Sequence, residues 1–282
     1  MQDFPGKTAV ITGGASGIGL AMGEAFAAEG MNIVLADIEA QPLQQAVTRL
    51  QQQGANCIGV VTDVAEAEAV QALADRAVAQ FGAIHVACNN AGVFTGGLLW
   101  EESLADYRWV LDVNLWGVIH GIRSFLPVMQ AQNCECHMVN TASMAALTAM
   151  PYSGIYHMSK HAVLALSESL YHELAFHSPQ VKLSVLCPEA INTGIARAER
   201  NRPRRYSDAG DVVSSDARDL VMESLAASVA GGLGPEIMAQ RVLQAIRNEQ
   251  FYILSEEAWR ESANLRLDDI REGRNPTFAP PL

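Results

Sequence analysis

The stretch Lys7-Thr8-Ala9-Val10-Ile11-Thr12-Gly13-Gly14-Ala15-Ser16-Gly17-Ile18-Gly19 decides how the rest of the chain is read. Its first half is a short apolar, β-branched run that stops at glycine, as a buried parallel strand does. An amphipathic helix follows and ends at Glu29-Gly30, where glycine suits a left-handed cap. Glycines at 13, 17 and 19 allow a tight turn, let the backbone approach a pyrophosphate, and leave the helix's first amide groups free for anionic oxygens. The spacing Gly-x-x-x-Gly-x-Gly differs from the dinucleotide fingerprint Gly-x-Gly-x-x-Gly and lacks the Gly-Lys-Ser/Thr ending of a triphosphate loop. Its context is nevertheless the required one, because Asp37 ends the next strand, Asn32 to Asp37, 18 positions after Gly19.

Outward from that stretch, strands and helices alternate. The pattern predicts a helix over Gln41 to Gln53, a strand over Asn56 to Thr62, a helix over Glu66 to Phe81 and a strand over Ala83 to Cys88. A long helical stretch from Leu104 to Gln132 comes next, then a strand at His137 to Thr141, a helix from Tyr156 to Phe176 and a strand at Val181 to Leu186. A last helix, Pro235 to Asn248, and a strand, Phe251 to Leu254, continue the rhythm, so no linker divides residues 1–282. Right-handed crossovers then put helices on both faces of one doubly wound parallel sheet, an α/β single domain. Two segments break the alternation. Residues 192–234 are polar and glycine-containing and carry Arg197, Arg200, Arg202, Arg204 and Arg205. They follow a strand's carboxyl end and are expected to form a substrate lid, its arginines either gripping an acidic substrate group or facing solvent. Residues 255–282 form a C-terminal extension, read as a charged helix from Glu256 to Gly273 with a proline-rich end, either an oligomer contact or a surface helix.

Composition narrows the functional classes. With 49% hydrophobic residues the 282-residue chain can bury a substantial core, and its net charge of -12 repels phosphate backbones and anionic membranes, which disfavours nucleic acid. No apolar run is long enough to span a bilayer and the amino terminus carries no export signal, so a soluble cytoplasmic protein is expected. Five cysteines at 57, 88, 134, 136 and 187 fit neither a disulfide framework nor a tetrahedral metal site. Cys134-Glu135-Cys136 is a close pair without a second pair, and no metal is expected.

Tyr156-His157-Met158-Ser159-Lys160 puts a phenol and an ammonium on one helical face. A free tyrosine titrates near about 10, so proton exchange near neutrality needs about 4 kcal/mol in favour of phenolate. One cation about 4 Å away at an effective dielectric near 20 supplies about that much. Alone, the pair also describes a core tyrosine beside a solvated lysine. Together with the glycine loop, Asp37, Asn89-Asn90-Ala91-Gly92, Asn114 and Ser143, it resembles the short-chain dehydrogenase/reductase family over Lys7 to Leu254.

That resemblance implies a Rossmann-type fold, a nicotinamide cofactor and a catalytic set of Asn114, Ser143, Tyr156 and Lys160. Ser143 would polarise a carbonyl oxygen and Tyr156 would give or take its proton. Lys160 would lower the tyrosine pKa and bind the nicotinamide ribose, and Asn114 would hold a relay water. The plain readings are an amide bonding backbone for Asn114 and a turn cap for Ser143, with Ser153 as a nearby competitor. Cofactor contacts would come from Gly13, Ser16, Gly17, Ile18, Gly19, Asp63, Val64, Asn90, Ala91, Gly92, Tyr156, Lys160, Pro188, Ile191 and Thr193. Asp37 can accept hydrogen bonds from the adenine ribose and would repel a 2′-phosphate, which selects NAD, and no compensating cation is visible beside it in the sequence.

One departure from the family pattern is Glu189, which follows Pro188 where glycine is usual; it either displaces the loop or faces the pocket. Val93, Phe94, Met144 and Tyr152 are candidate pocket walls. The segments 192–206 and 234–254 are similar to the Cα-dehydrogenases of aromatic catabolism, which suggests a secondary aryl alcohol and its ketone as small-molecule partners. An acyl-chain ketoreductase is the rival enzyme, and a non-catalytic dinucleotide-sensing scaffold is the rival class. Such scaffolds usually lose the tyrosine or lysine, and this chain keeps both. Association as a homodimer or homotetramer follows from the family habit.

Overall fold

The computed structural model describes residues 1–207, 215–255 and 260–278. Seven parallel strands form one sheet in the order β3-β2-β1-β4-β5-β6-β7. They are β1 (Thr8–Thr12), β2 (Asn32–Asp37), β3 (Cys57–Val61), β4 (Val86–Asn89), β5 (Cys136–Thr141), β6 (Val181–Cys187) and β7 (Tyr252–Leu254). Nine α-helices lie among the described residues: α1 (Gly17–Ala28), α2 (Ala40–Gln52), α3 (Ala67–Phe81), α4 (Leu104–Leu111), α5 (Gly117–Ala131), α6 (Gly154–His177), α7 (Asp216–Ala230), α8 (Pro235–Asn248) and α9 (Arg260–Glu272).

The sheet is covered on both faces because its central strands are largely apolar and hand alternate buried side chains to opposite layers. Ala9, Ile11, Ile33 and Leu35 pack with Met22 and Phe26 of α1, Leu43 and Leu50 of α2, and Val242 and Ile246 of α8. Val10, Val34, Ala36 and Met138 pack the other way, against Leu73 of α3, Phe125 and Met129 of α5, and Leu170 and Leu174 of α6. Phe26 and Phe125 are each fully buried, worth roughly 2 kcal/mol apiece. The α/β doubly wound sheet expected from the alternation is thus the fold. No described helix is long and apolar enough to cross a membrane.

Two segments differ from expectation. The predicted helix over Leu104 to Gln132 is interrupted by a π-helical turn at Asp112–Trp116, which joins α4 to α5. A π turn inserts one residue into the helical repeat and so rotates side chains that a regular helix would aim elsewhere; here it holds Asn114 at 0% exposure. The segment 192–234 is more structured than its polarity suggested, with 3₁₀ turns at Ile195–Asn201 and Arg204–Tyr206 and the helix α7. Ser215 opens α7 by accepting a hydrogen bond from the Arg218 N–H, and Val229 is the buried residue of that helix. Residues 208–214 of the expected lid, and 256–259 and 279–282 of the expected C-terminal extension, lie outside the described residues. Within that extension the helix is described from Arg260.

Candidate active site

From β1 the chain winds outward to β2 and β3, then crosses back to β4 on the other side of β1. The carboxyl ends of β1 and β4 are therefore the switch point where the outgoing loops part and leave a crevice. Thr12 and Asn90 tie the two loops together there. The Thr12 Oγ1 accepts from the backbone N–H of Asn90 at 2.9 Å and of Ala91 at 3.1 Å, and the Asn90 Nδ2 donates to the Thr12 carbonyl at 3.0 Å. Asn90 is spent on this turn chemistry, so the phosphate-side surface is mainly backbone.

Gly13 and Gly17 have φ of +63° and +53°, in the left-handed region, and a Cβ on Gly13 would stand 2.9 Å from the Ala91 Cα. Gly13, Ser16, Gly17 and Ile18 line a cavity of about 530 Å³ that extends along the carboxyl edge of the sheet. Gly19 does not line it. A Cβ there would lie 2.1 Å from the Gly13 carbonyl oxygen, so this glycine lets α1 pack under the loop rather than meet a ligand.

At one end of the cavity Asp37 accepts from the Ala15 N–H and the Glu39 N–H, each at 3.0 Å. Burial raises its pKa, against the pull of those two amides. Asp63, Val64, Ala91 and Gly92 line the same region. No cation is visible beside Asp37 in the sequence, but the fold brings two arginines to the acids near it. Arg200 reaches Glu39 with Nη2 at 2.7 Å, and Arg205 reaches Asp63 at 2.6 Å and Glu66 at 3.3 Å. Both expectations for the arginine cluster therefore need correction: three of its members face acids of this same chain. The third, Arg202, is 9% exposed and pairs with Asp106 at 2.5 Å, while Arg218 of α7 pairs with the same carboxylate at 3.2 Å.

At the other end Ser143, just past β5, lines the cavity together with the Tyr156 phenol, and its Oγ donates to the Pro188 carbonyl at 3.4 Å. Ser143 is also a turn cap, since its Oγ accepts from the Ala145 N–H at 3.1 Å, so both readings of this residue hold together. Ser153 begins α6 without a side-chain cap and does not line the cavity. Lys160 is 2% exposed and donates to the Thr141 carbonyl at 3.0 Å, one hydrogen bond among the described residues for an ammonium with three donors. Its Nζ stands 5.6 Å from the Tyr156 ring centre. The expected depression of the tyrosine pKa is not present. Burial pushes the phenol up to about 12, partly opposed by Ser143, and burial pushes Lys160 down to about 8. Desolvation favours the neutral form of each partner, and in a closed site it outweighs their mutual attraction.

Asn114 takes its plain reading. Its Oδ1 accepts from the Val93 N–H at 2.8 Å, and its Nδ2 donates to the Val93 carbonyl at 3.0 Å and the Ser159 Oγ at 3.1 Å. These contacts engage both amide hydrogens and one of the two Oδ1 lone pairs.

Val93, Phe94 and Met144 line the cavity, and Phe94 lies 5.1 Å from Tyr156 between ring centres. Tyr152 does not; it sits at the surface with φ of +62°. Trp109, Val113, Met150, Leu225 and Val229 complete an apolar wall the sequence did not disclose. Glu189 lines the cavity too, with its loop held where Pro188 accepts from the Met144 N–H at 2.9 Å, so its side chain is accommodated without displacing that contact. Pro188, Ile191 and Thr193 lie alongside.

A dinucleotide fits these residues. The glycines leave backbone open at the amino end of α1, Asp37 is an acceptor at one end, and Lys160 keeps unspent donors at the other. Comparison with known proteins agrees with that geometry. Residues 7–204 match the profile of the short chain dehydrogenases. The chain is 32% identical to a Cα-dehydrogenase of Sphingobium, covering 100% of this chain and 90% of that protein. It is 35% identical to a 1-deoxy-11-beta-hydroxypentalenate dehydrogenase of Streptomyces avermitilis, covering 94% and 98%. A crystal structure of a short-chain dehydrogenase/reductase from Burkholderia phymatum in complex with NAD has a TM-score of 0.97 at 45% identity, with both chains covered in full. By sequence and by structure, this chain belongs to the short-chain dehydrogenase/reductase family.

Proposed function

We propose that the chain is an NAD-dependent oxidoreductase that interconverts a secondary alcohol and a ketone, with Tyr156 exchanging the proton. The observation that carries the proposal is that Ser143, Tyr156 and Lys160, one turn further along α6, line the same cavity as the glycine loop and Asp37. NAD, when bound, supplies the chemistry of accepting a hydride from the carbinol carbon, or as NADH of returning it. Asp37 accepts from the adenine ribose, the amino end of α1 holds the pyrophosphate, and the spare donors of Lys160 bind the second ribose. Ser143 donates to the substrate oxygen. Tyr156 removes that oxygen's proton during oxidation and gives it back during reduction. Burial holds the phenol high, and the Lys160 ammonium, together with the positive charge that an oxidised nicotinamide ring would bring, would favour the phenolate. Asn114 serves by pinning Val93 to the kinked helix and to Ser159.

Phe94, Trp109, Met144 and Met150 favour a ring-bearing or otherwise apolar substrate, and one of the two dehydrogenases compared above is named for a hydroxylated substrate. Residues 192–207 and 215–234 form the lid over it. Exposed Trp116, Tyr171 and Phe176 on the helical flank support self-association as a homodimer or homotetramer. The test is steady-state oxidation with NAD across aryl and aliphatic secondary alcohols, with acyl-chain ketones run in reverse. Turnover favouring aryl carbinols is the expected result; no NAD-linked activity on any member of the panel would refute the proposal.

A further inference from the structure

The ion pairs at the Asp37 end of the cavity have a geometry that substrate binding does not require. Thr193, at the start of the lid, lines the cavity beside Ile191, yet Arg200 and Arg205 reach acids that follow β2 and β3, further along the sheet edge. Arg200 holds both ends at once. Its Nη1 donates to the carbonyls of Gly194 at 3.2 Å and Arg197 at 2.8 Å, while Nε and Nη2 engage the two carboxylate oxygens of Glu39 at 3.2 and 2.7 Å. Asn201 adds a bond to Glu39 at 3.0 Å. Arg205 reaches Asp63 through Nη2 alone, at 2.6 Å, with Glu66 at 3.3 Å beside it.

These contacts differ in kind from the Arg202–Asp106 pair between them. That pair is 9% and 5% exposed, and Arg202 also stacks on Trp109 at 5.2 Å, so it is a lasting anchor. Arg200 and Arg205 are 38% and 41% exposed, within reach of solvent ions, and can open singly. The lid is thus fastened firmly at its centre and lightly along the edge that crosses the adenosine half of the groove.

We propose that Arg200 and Arg205, by pairing with Glu39 and Asp63, form a latch that retains the adenosine half of the bound dinucleotide, so that cofactor release requires these pairs to open. The proposal rests on the reading of the groove as an NAD site. Arg200 acts through Glu39 and is a positioning residue. Exposed pairs of this kind are worth little singly, which sets the expected acceleration at about two- to fivefold per pair.

The experiment is stopped-flow displacement of NADH, read by its fluorescence, from the wild type, Arg200→Gln, Glu39→Gln, their double variant and Arg205→Gln, at low and high salt. Each single variant is expected to release NADH faster. The Arg200/Glu39 double variant is expected to be no faster than either single variant, and the salt dependence of release is expected to shrink as pairs are removed. Glu39→Gln is the decisive arm. Removing a negative charge near a pyrophosphate would by itself slow release, so acceleration identifies the latch. If Arg200 touched the nucleotide directly, Arg200→Gln would still accelerate release in the Glu39→Gln background, and the latch would be refuted. Unchanged rates in all single variants, with NADH bound normally, would also overturn it alone. Failure of the wild type to bind NADH would remove the cofactor reading and the latch together.

Discussion

Lys160 and Tyr156 share one face of α6, but the lysine's hydrogen bond goes to the Thr141 carbonyl at 3.0 Å and its Nζ stands 5.6 Å from the centre of the tyrosine ring. The ammonium is thereby held by β5 and reserved for a ligand beside the phenol. Proton exchange at Tyr156 depends on that third party as much as on the pair.

Tyr156→Phe keeps the ring that packs at 5.1 Å from Phe94 and removes the hydroxyl that lines the cavity with Ser143. Turnover is expected to fall by about 10² or more, the scale of general acid–base catalysis. NADH affinity should stay nearly unchanged. Fluorescence titration alongside steady-state rates checks both, and undiminished turnover would remove Tyr156 from the chemistry.

Lys160 has a folded pKa lowered to about 8 from an ordinary 10.5, because it is buried. Between those values the unfolded chain holds the proton and the folded chain does not, so stability rises with pH across that window. Lys160→Met has no such proton. Thermal melts of both proteins, without nucleotide, should show the wild type gaining on the variant as pH rises from about 8 towards about 10. A constant difference would mean the ammonium is not desolvated.

Asp106 joins Arg202 of the lid to Arg218 of α7 and also closes the capping box of α4 with Ser103. Burial raises its pKa, but hydrogen bonds from Arg218 and Arg202 outweigh that and hold it at about 2. Asp106→Ala leaves Arg202 with Glu199 and Arg218 with Glu102 at 3.7 Å as their acidic partners, and is expected to cost up to about 3 kcal/mol in urea denaturation, the low end for a broken buried pair. Since the folded pKa lies below the ordinary 3.8, the wild type should lose this contribution as pH falls from about 4 towards about 2, narrowing the gap to the variant.

Gly19→Ala places a methyl 2.1 Å from the Gly13 carbonyl oxygen, a backbone atom that cannot swing aside. The expected result is a loss of about 1 to 3 kcal/mol in stability with weakened NADH binding, because α1 must shift the loop it supports. Denaturant melts and titration of the same sample report the two effects; a variant as stable as wild type would contradict the packing role.

Asp37→Ser removes the carboxylate held by the Ala15 and Glu39 amides. The ratio of kcat/KM for NADP over NAD should rise at least roughly tenfold, equivalent to about 1.4 kcal/mol. An unchanged ratio would transfer cofactor selection to Glu39 and Arg200.

The glycine loop, the alternation of strands and helices, Asp37, Ser143 and the Tyr156–Lys160 pair were legible in the sequence because each depends on local rules. A strand that ends in glycine must turn, and residues four apart on a helix must share a face. The π turn around Asn114 was not legible, because a single inserted residue is a compromise between α4 and α5 packing and leaves no mark on hydrophobic period. Helix α7 was missed for a related reason. Val229 is its buried residue, so its sequence carries no apolar stripe to mark it.

Sequence alone therefore determined the sheet, the glycine loop and the placing of Tyr156 and Lys160 on one helical face, all of which follow from spacings of a few residues. Tertiary structure decided what those groups touch. Asp106 meets Arg202 across 96 positions and Glu39 meets Arg200 across 161, and such pairings exist only when distant loops are brought to one sheet edge. It also decided the sign of the Tyr156 shift: the chain places an ammonium near the phenol, but the surrounding walls remove water from both, and how much water is lost is a property of the packed molecule.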